Sequence, residues 1–206
     1  MLLLTEAALQ STVLPMNPAG NTRPHIFLIG MKHSGKSELG RLLSLQMGTP
    51  FYDLDNFIER TAQEEGFSSL RDLYRSSGKK NFQEHERRAA IALAGELKRE
   101  STEPVVSALG GGSVENGEAM RLLSPYGRFL YLRVKEHVLA QRILSGELPP
   151  LLDGPGTPEE LLYTLLERRR PLYEQWADFT VDLEDAPREE NSGHLYSLLK
   201  AHHYVG

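Results

Sequence analysis

The sequence predicts an α/β protein whose parallel sheet is covered by helices on both faces. Short apolar runs that favour strands alternate along the 206 residues with longer segments of helical periodicity. Consecutive parallel strands need crossover connections, and the intervening helices would supply them. Apolar content of 40% and charged content of 25% are ordinary for a globular protein. The length suits one large core with at most a small inserted lobe.

The apolar runs predict strands at residues 25–29, 51–53, 105–109, 129–134 and 179–183. Helical periodicity is found over residues 36–47, 56–65, 68–77, 79–99 and 135–145, and near 192–202. A long helix is expected after Thr157, with Thr157 as its N-cap and Pro158 at the first helical position.

Two segments are predicted to be irregular. Residues 1–24 contain several prolines, and polar residues interrupt their apolar run, so we expect a leader without function rather than a signal peptide. Residues 146–156 are rich in proline and glycine and are expected to form a loop with few apolar anchors. Residues 25–206 are then expected to form a single domain.

Charge and composition limit the classes of partner. The net charge of -5, from 23 basic and 28 acidic residues, argues against a nucleic-acid partner, which favours a basic face. No run of about 18 apolar residues is present, so no membrane partner is expected. The absence of cysteine excludes disulfides and thiol chemistry and fits a cytoplasmic protein. The histidines show no spacing typical of metal ligands. We also expect the protein to be a monomer.

The segment GMKHSGKS, residues 30–37, follows the first predicted strand and precedes a predicted helix. Its pattern, G-x-x-x-x-G-K-[ST], is typical of a loop that binds nucleotide phosphates. The glycines let successive N–H groups point inward, and the helix adds the positive end of its dipole. Lys36 can reach the outer phosphates, and the Ser37 hydroxyl can bind Mg²⁺. The predicted nucleotide contacts are Gly30, Lys32, His33, Ser34, Gly35, Lys36, Ser37 and Glu38. A glycine-rich turn without function is the alternative.

Asp53 and Asp55 come at the end of the second predicted strand, the edge at which open α/β sheets bind ligands. One interpretation gives one aspartate to a metal ion and the other to an acceptor hydroxyl. The other interpretation makes Asp55 the N-cap of the following helix. Alternate residues of an extended strand face opposite ways, but Asp55 lies beyond the strand, so both carboxylates could turn inward.

Two further clusters carry weaker signals. The three glycines at residues 110–112 follow a predicted strand and form either a flexible turn or a place where a ligand approaches the backbone. The three arginines at residues 168–170 are expected near the end of a helix, where a solvated face is the alternative to a functional cluster. Arg142 is ambiguous in the same way.

In this order, GMKHSGKS, FYDLD, LGGG and RRRPLY resemble the shikimate kinase family, and the resemblance covers most of the chain. It implies a three-layer P-loop kinase fold with a five-stranded parallel sheet. A helical substrate-binding region at about 55–88 and a mobile lid at about 146–157 would complete the fold. The implied activity is phosphorylation of a small hydroxylated acceptor by ATP with Mg²⁺, above all of shikimate to shikimate 3-phosphate.

The resemblance also implies roles for individual residues. Lys36 would be the catalytic lysine at the phosphates, while Ser37 and Asp53 would hold Mg²⁺, Asp53 through water. Asp55 matches the aspartate that binds substrate hydroxyls and acts as base, and Arg142 the arginine that packs on adenine. The implied substrate residues are Asp55, Tyr74, Phe82, Gln83, Gly110, Gly111, Gly112 and Arg169, with Glu86 supporting the pocket.

Two positions depart from the family pattern. Gln83 and Pro149 stand where the resemblance places arginines that contact the substrate or phosphate. A hydrogen bond to a charged group contributes about 1.5–3 kcal/mol, so each loss would weaken anion binding about ten- to a hundredfold. Lys32, Lys79 or Lys80 could restore charge, but not the two-pronged grip of arginine. A kinase of a less anionic polyol, and an ATP-binding module without turnover, stay open as alternatives.

Overall fold

The computed structural model describes residues 24–100, 104–202 and 204. The predicted leader, residues 1–24, lies outside these ranges apart from Pro24. Within them, five strands form one parallel sheet, as expected. The strands are β1 (His25–Ile29), β2 (Phe51–Asp53), β3 (Val106–Ala108), β4 (Gly127–Arg133) and β5 (Phe179–Asp182), and their order in the sheet is β2-β3-β1-β4-β5.

Seven α-helices lie in the same described ranges. They are α1 (Lys36–Met47), α2 (Leu54–Glu64), α3 (Leu70–Arg99), α4 (Gly117–Leu123), α5 (Glu136–Leu144), α6 (Pro158–Trp176) and α7 (Arg188–Ala201). Short 3₁₀ turns lie at Ser113–Glu115 and Pro150–Leu152. None of these helices is long and apolar enough to cross a membrane.

β1 is buried on both sides because its faces meet two different hydrophobic clusters. Ile26 and Leu28 belong to a cluster that includes leucines of α1, α5, α6 and α7. Phe27 and Ile29 belong to a second cluster, with leucines of α2, α3 and α4. Since alternate residues of a strand point to opposite faces, this division produces helix, sheet and helix layers. The three-layer prediction is confirmed.

The start of α2 answers one question that the sequence left open. Asp53 is the N-cap, because its Oδ1 accepts a hydrogen bond from the Asp55 N–H at 3.1 Å. The interpretation of Asp55 as the N-cap is therefore wrong, and the helix begins at Leu54 rather than at residue 56. This leaves the Asp55 carboxylate available for another role.

The break predicted at Gly78 is confirmed, because Gly78 has a φ of +76° that interrupts the helical geometry of α3 there. Other helices differ from expectation in extent. α4 was not expected, because seven residues give only two turns of periodicity. α6 continues through Pro171, so the arginines at 168–170 lie in its interior rather than near its end. The Thr157 N-cap is confirmed, and it forms a capping box with Glu160. α7 begins four residues before the predicted position.

The predicted lid segment, residues 146–157, is folded against the rest of the molecule. Its 3₁₀ turn places Leu152 in the hydrophobic core with 4% exposure. Leu148 and Leu151 pack against the same cluster. The expectation of few apolar anchors is therefore wrong, because the three leucines of this segment turn inward.

Two arginines of α3 also hold this segment. Arg71 donates from Nη2 to the Leu148 carbonyl oxygen at 2.6 Å. Arg75 forms an ion pair with Asp153 at 2.7 Å. The segment is thus tied to the helix that carries the predicted substrate residues Tyr74 and Phe82.

Candidate active site

The order of the strands brings the phosphate loop and the glycine loop together. β1 pairs with β3, so the loops at their carboxyl ends are neighbours on one edge of the sheet. β2 pairs with the other side of β3 and delivers Asp53 to the same edge. Parallel sheets bind ligands at this edge. A cavity of about 1000 Å³ lies there, which is enough for a nucleotide and a small acceptor.

Apart from Gly30 and Asp53, every predicted site residue lines this cavity. Gly30 lies at the end of β1, where a Cβ would meet the Leu132 carbonyl oxygen at 2.8 Å. Asp53 lies behind Ser37 and accepts its hydrogen bond. Residues that are far apart in the chain, from the phosphate loop to α6, therefore meet in one place.

The phosphate loop turns tightly before α1. His33 and Gly35 have φ values of +64° and +91°, in the left-handed region that residues other than glycine rarely adopt. The Ser34 hydroxyl is 1% exposed and has no hydrogen-bond partner among the described residues. The first N–H groups of α1 likewise have no partner within the helix. A phosphate would satisfy both kinds of donor.

Lys36 holds its ammonium group inside the loop. Its Nζ donates to the Met31 carbonyl oxygen at 2.8 Å, and the residue is buried. Burial lowers the pKa of Lys36 to about 8, although the nearby carboxylates of Asp55 and Asp53 raise it. Negative charge beside Nζ would offset the cost of this desolvation. A phosphate chain provides such a charge.

Ser37 and Asp53 form a pair of oxygen donors. The Ser37 hydroxyl donates to Asp53 Oδ2 at 2.6 Å, while the other carboxylate oxygen caps α2. Mg²⁺ prefers oxygen ligands and takes much of its coordination from water and phosphate. In the described part of the chain, no cluster of three or more His, Cys, Asp or Glu side chains could hold a metal ion by itself. The pair fits Mg²⁺ that binds together with a nucleotide.

Asp55 lies on the cavity wall beside the glycine loop. A Cβ on Gly110 would be 2.9 Å from Asp55 Oδ1, so only glycine leaves room for this carboxylate. Burial and the neighbouring Asp53 raise the pKa of Asp55 to about 6, against the opposing charges of Lys36 and Lys32. The group is ionised at neutral pH and is more basic than an ordinary aspartate, which suits a proton acceptor.

The other two glycines also permit close contacts. A Cβ on Gly111 would lie 2.8 Å from the Lys32 backbone nitrogen, and one on Gly112 would lie 3.1 Å from Arg169 Nη2. The Tyr173 hydroxyl donates to the Gly111 carbonyl oxygen at 2.5 Å. The glycine loop therefore forms a wall of the cavity in close contact with its neighbours, which favours the interpretation that a ligand approaches its backbone.

Arg169 is the most buried arginine of the run, with 3% exposure. Its Nη2 and Nε lie 2.9 Å and 3.3 Å from Glu115 Oε2. Arg168 Nε lies 2.9 Å from the other carboxylate oxygen, and Lys79 Nζ lies 3.6 Å from it. A solvated face is therefore the wrong interpretation for Arg169.

The acceptor side of the cavity is built on α3. The Tyr74 and Phe82 rings meet edge to face, with 5.7 Å between their centroids. Gln83 lines the cavity, and its Nε2 donates to the Glu115 carbonyl oxygen at 3.3 Å. An uncharged amide therefore lies at the position where the resemblance places an arginine.

Glu86 supports the glycine loop from behind. It is 2% exposed and accepts hydrogen bonds from the Ser113 hydroxyl at 2.6 Å and the Asn116 amide at 2.9 Å. Burial raises the pKa of Glu86, although both hydrogen bonds oppose this. Its role in the structure is to fix the turn at Ser113–Glu115.

The end of the cavity predicted to bind the nucleotide is more exposed to solvent than the acceptor end. Arg142 is exposed, donates to the His33 carbonyl oxygen at 3.4 Å and forms an ion pair with Asp185 at the same distance. Glu38 forms an ion pair with Arg188 at 2.7 Å. Arg142 can therefore approach a base that lies above the phosphate loop.

Sequence reasoning missed Glu115 and Tyr173. Tyr173 lies four residues after Arg169 on α6, so helical spacing could have identified it. Glu115 has no comparable signal, since its arginine partner Arg169 is 54 residues away in the chain.

A family model for shikimate kinase matches residues 32–200. Shikimate kinase 1 of Yersinia enterocolitica is 31% identical over 178 residues, which are 86% of this chain and 96% of that protein. A shikimate kinase from Acinetobacter baumannii, solved in complex with shikimate, superposes with a TM-score of 0.75 at 26% identity and covers 88% of this chain and 96% of its own. The enzyme from Aquifex aeolicus superposes with a TM-score of 0.68 at 28% identity, over 88% and 99% of the two chains. The chain therefore belongs to the shikimate kinase family.

Proposed function

We propose that this protein transfers the γ-phosphoryl group of ATP to a hydroxyl of shikimate, with Mg²⁺, and produces shikimate 3-phosphate and ADP. The observation that carries the proposal is a single cavity in which Asp55 shares the walls with Lys36 of the phosphate loop and with the buried Arg169. Membership of the shikimate kinase family supports the same acceptor.

The phosphates would be bound at the phosphate loop, where the Ser34 hydroxyl has no hydrogen-bond partner among the described residues. Ser34, Lys36 and the first N–H groups of α1 would bind the phosphates. Ser37 and Asp53 would hold Mg²⁺, which supplies neutralisation of the charge on the phosphates. Arg142 would lie against the base. Ser34, Lys36, Ser37 and Arg142 would then form the nucleotide end of the cavity, with Asp53 next to Ser37.

Asp55 would accept the proton of the acceptor hydroxyl. The hydroxyl oxygen then forms its bond to the γ-phosphorus while the bond to the bridging oxygen of the leaving ADP breaks. Lys36 neutralises charge on the transferred group from inside the loop. Little covalent chemistry is asked of the protein, because positioning and charge stabilisation supply most of the acceleration.

The acceptor would lie against α3 and the glycine loop. Arg169 would bind its carboxylate, while Tyr74 and Phe82 would flank its ring. Residues 55–88 would then form the acceptor-binding region of a single domain. Residues 146–157 would form the lid, since Pro149, Pro150 and Leu151 line the cavity.

The two alternatives receive less support. A module without turnover would have no use for a base of raised pKa at Asp55. A kinase of an uncharged polyol would have no use for three cations, Lys79, Arg168 and Arg169, around one carboxylate. We also propose a cytoplasmic location, since the reaction consumes ATP.

Coupled measurement of ADP release tests the proposal. Wild type with ATP and Mg²⁺ should release ADP rapidly only when shikimate is present, and slowly with an uncharged cyclic polyol or with no acceptor. Lys36→Ala is the matched control for contaminating kinases and should lose the shikimate-dependent rate. Release that is independent of shikimate, or faster with the polyol, would contradict the proposal.

A further inference from the structure

The carboxylate of Glu115 occupies the Nε–Nη2 edge of Arg169, the arginine that we propose binds the acceptor carboxylate. Glu115 Oε2 receives both short contacts from Arg169, to Nη2 at 2.9 Å and to Nε at 3.3 Å. The Arg169 side chain is 4% exposed, and the Glu115 side chain 8%. An arginine offers a limited fork of donors, so a second carboxylate can take the same edge only by replacing the first.

Glu115 is held as an anion in this position. Burial alone would raise its pKa, but the charge and hydrogen bonds of Arg169, together with Lys79 and Arg168, hold the pKa of Glu115 below its usual range. We call Lys79, Glu115, Arg168 and Arg169 the Glu115 cluster. It contains three cations and one carboxylate, so it can accept a second carboxylate and still carry a net positive charge.

We propose that Glu115 is a built-in competitor for Arg169, and that the acceptor carboxylate binds by displacing Glu115 Oε2 from this arginine. The inference rests on the proposed function and deepens it, because it names a residue that sets the affinity and the charge preference of the acceptor site. Glu115 is a specificity-determining residue here and takes no part in phosphoryl transfer.

The two oxygens of Glu115 make this exchange feasible. Oε1 contacts Arg168 at 2.9 Å and Lys79 at 3.6 Å, separately from the contacts of Oε2. The side chains of Arg168 and Lys79 are 53% and 49% exposed, so both can follow Glu115 as it swings outward. The displaced carboxylate therefore keeps two cationic partners, and these cations reduce its repulsion from the incoming carboxylate.

Gln83 makes the competition stronger. Its Nε2 donates to the backbone carbonyl oxygen of Glu115 at 3.3 Å and brings no charge to the cavity. Arg169 is then the one buried cation on the acceptor side within the described residues, since Lys79 and Arg168 are half exposed. An acceptor without a carboxylate gains nothing by displacing Glu115. The exchange therefore selects for acceptors whose carboxylate binds Arg169 more strongly than Glu115 does.

Steady-state kinetics of Glu115→Gln and Glu115→Asp on shikimate test the inference. If Glu115 competes, Glu115→Gln should lower KM for shikimate about tenfold, because the neutral amide gives up a charge-assisted contact with Arg169. Glu115→Asp retracts the carboxylate by one methylene and should give an intermediate KM. The kcat values should change much less than KM. Glu118→Gln, an exposed carboxylate on α4, is the matched control and should leave both constants unchanged.

A merely structural role predicts the opposite order. If Glu115 were needed only to hold Arg169 in place, KM would be lowest in wild type, higher in Glu115→Asp and highest in Glu115→Gln. That order, or an unchanged KM in both variants, would overturn the inference. The conservative Asp variant keeps a charge beside Arg169, so the order of KM values can be read even if the Gln variant folds poorly.

Failure of the proposed function has a different signature. Wild type would then release no ADP with shikimate, and the competition would be judged from the shift in Tm that shikimate produces. A larger shift in Glu115→Gln than in wild type would support displacement of Glu115, whereas an equal or smaller shift would overturn it.

Discussion

Replacing Asp55 by asparagine should stabilise the folded protein while it removes most of the activity. Burial and the neighbouring Asp53 raise the pKa of Asp55 from 3.8 to about 6. The ionised carboxylate is therefore less favourable in the folded protein than in the unfolded chain. Asparagine has nearly the same shape and carries no charge, so Asp55→Asn removes this penalty and little else.

The size of the gain follows from the pKa. A carboxyl pKa raised from 3.8 to about 6 corresponds to about 3 kcal/mol against the ionised form at pH 7–8. The attraction of Lys36 is already contained in this value, since it opposes the effects of burial and Asp53. We expect Asp55→Asn to raise the free energy of unfolding by about 2–3 kcal/mol near neutral pH. Loss of the proton acceptor should lower kcat by about 10²–10⁴-fold.

The stability difference between Asp55→Asn and wild type should depend on pH. Above about pH 7 the carboxyl is ionised in both states of the wild type, and the whole penalty is present. As pH falls from 6 towards 4, the folded protein takes up a proton before the unfolded chain does, and the penalty disappears. The advantage of Asp55→Asn should therefore be largest at pH 7–8 and vanish below about pH 4. Likewise, kcat/KM of the wild type should fall as pH drops below about 6.

Urea denaturation of the ligand-free proteins between pH 4 and 8 measures this difference. Glu64→Gln is the matched control, because it makes the same carboxylate-to-amide change at an exposed position of α2. It should show no gain that depends on pH in this way. An Asp55→Asn variant that is no more stable than wild type at pH 7.5, or whose gain is constant with pH, would refute the argument.

Three further predictions concern the other parts of the site. Gln83→Arg should lower KM for shikimate about tenfold with little change in KM for ATP, while Gln63→Arg, at an exposed position of α2, should change neither; a higher KM for shikimate would count against it. ATP with Mg²⁺ should raise Tm, because a ligand at a hundredfold excess over its Kd stabilises the folded protein by about 2.7 kcal/mol. Lys36→Ala should lose most of this rise in Tm, and an equal rise in wild type and Lys36→Ala would argue against the phosphate site. Amide hydrogen exchange over residues 146–156 should slow when ATP and shikimate are added and accelerate in Arg71→Ala, which loses the bond to the Leu148 carbonyl oxygen; unchanged exchange would contradict a lid.

The sequence predicted the central elements because their signals are local. β1 is an uninterrupted apolar run, and the strand–loop–helix pattern after it places Lys36 and Ser37 at the start of α1. The capping box at Thr157 is also complete within four residues. Local patterns of this kind carry their physical cause with them, since the groups that interact are neighbours in the chain.

The contacts that define the acceptor site are not local. Glu115 meets Arg169 and Arg168 only because the 3₁₀ turn at Ser113–Glu115 packs against α6, and no spacing rule joins Glu115 to Arg169, 54 positions away. The same limit applies to Leu152, whose burial depends on the fold of the whole lid segment. The two aspartates illustrate a third limit, because residue type alone favoured Asp55 as the N-cap. The start of α2 at Leu54 gives that role to Asp53, which also accepts the hydrogen bond of Ser37.

Identification of the phosphorylated product tests the proposed function most directly. Wild type should be incubated with ATP, Mg²⁺ and shikimate, and the products analysed by mass spectrometry and phosphorus NMR. We expect a shikimate monophosphate ester formed in equal amount with ADP, and at least about a hundredfold less of it from Asp55→Asn within the same time. ATP-dependent stabilisation of the protein without any phosphorylated shikimate would contradict the account.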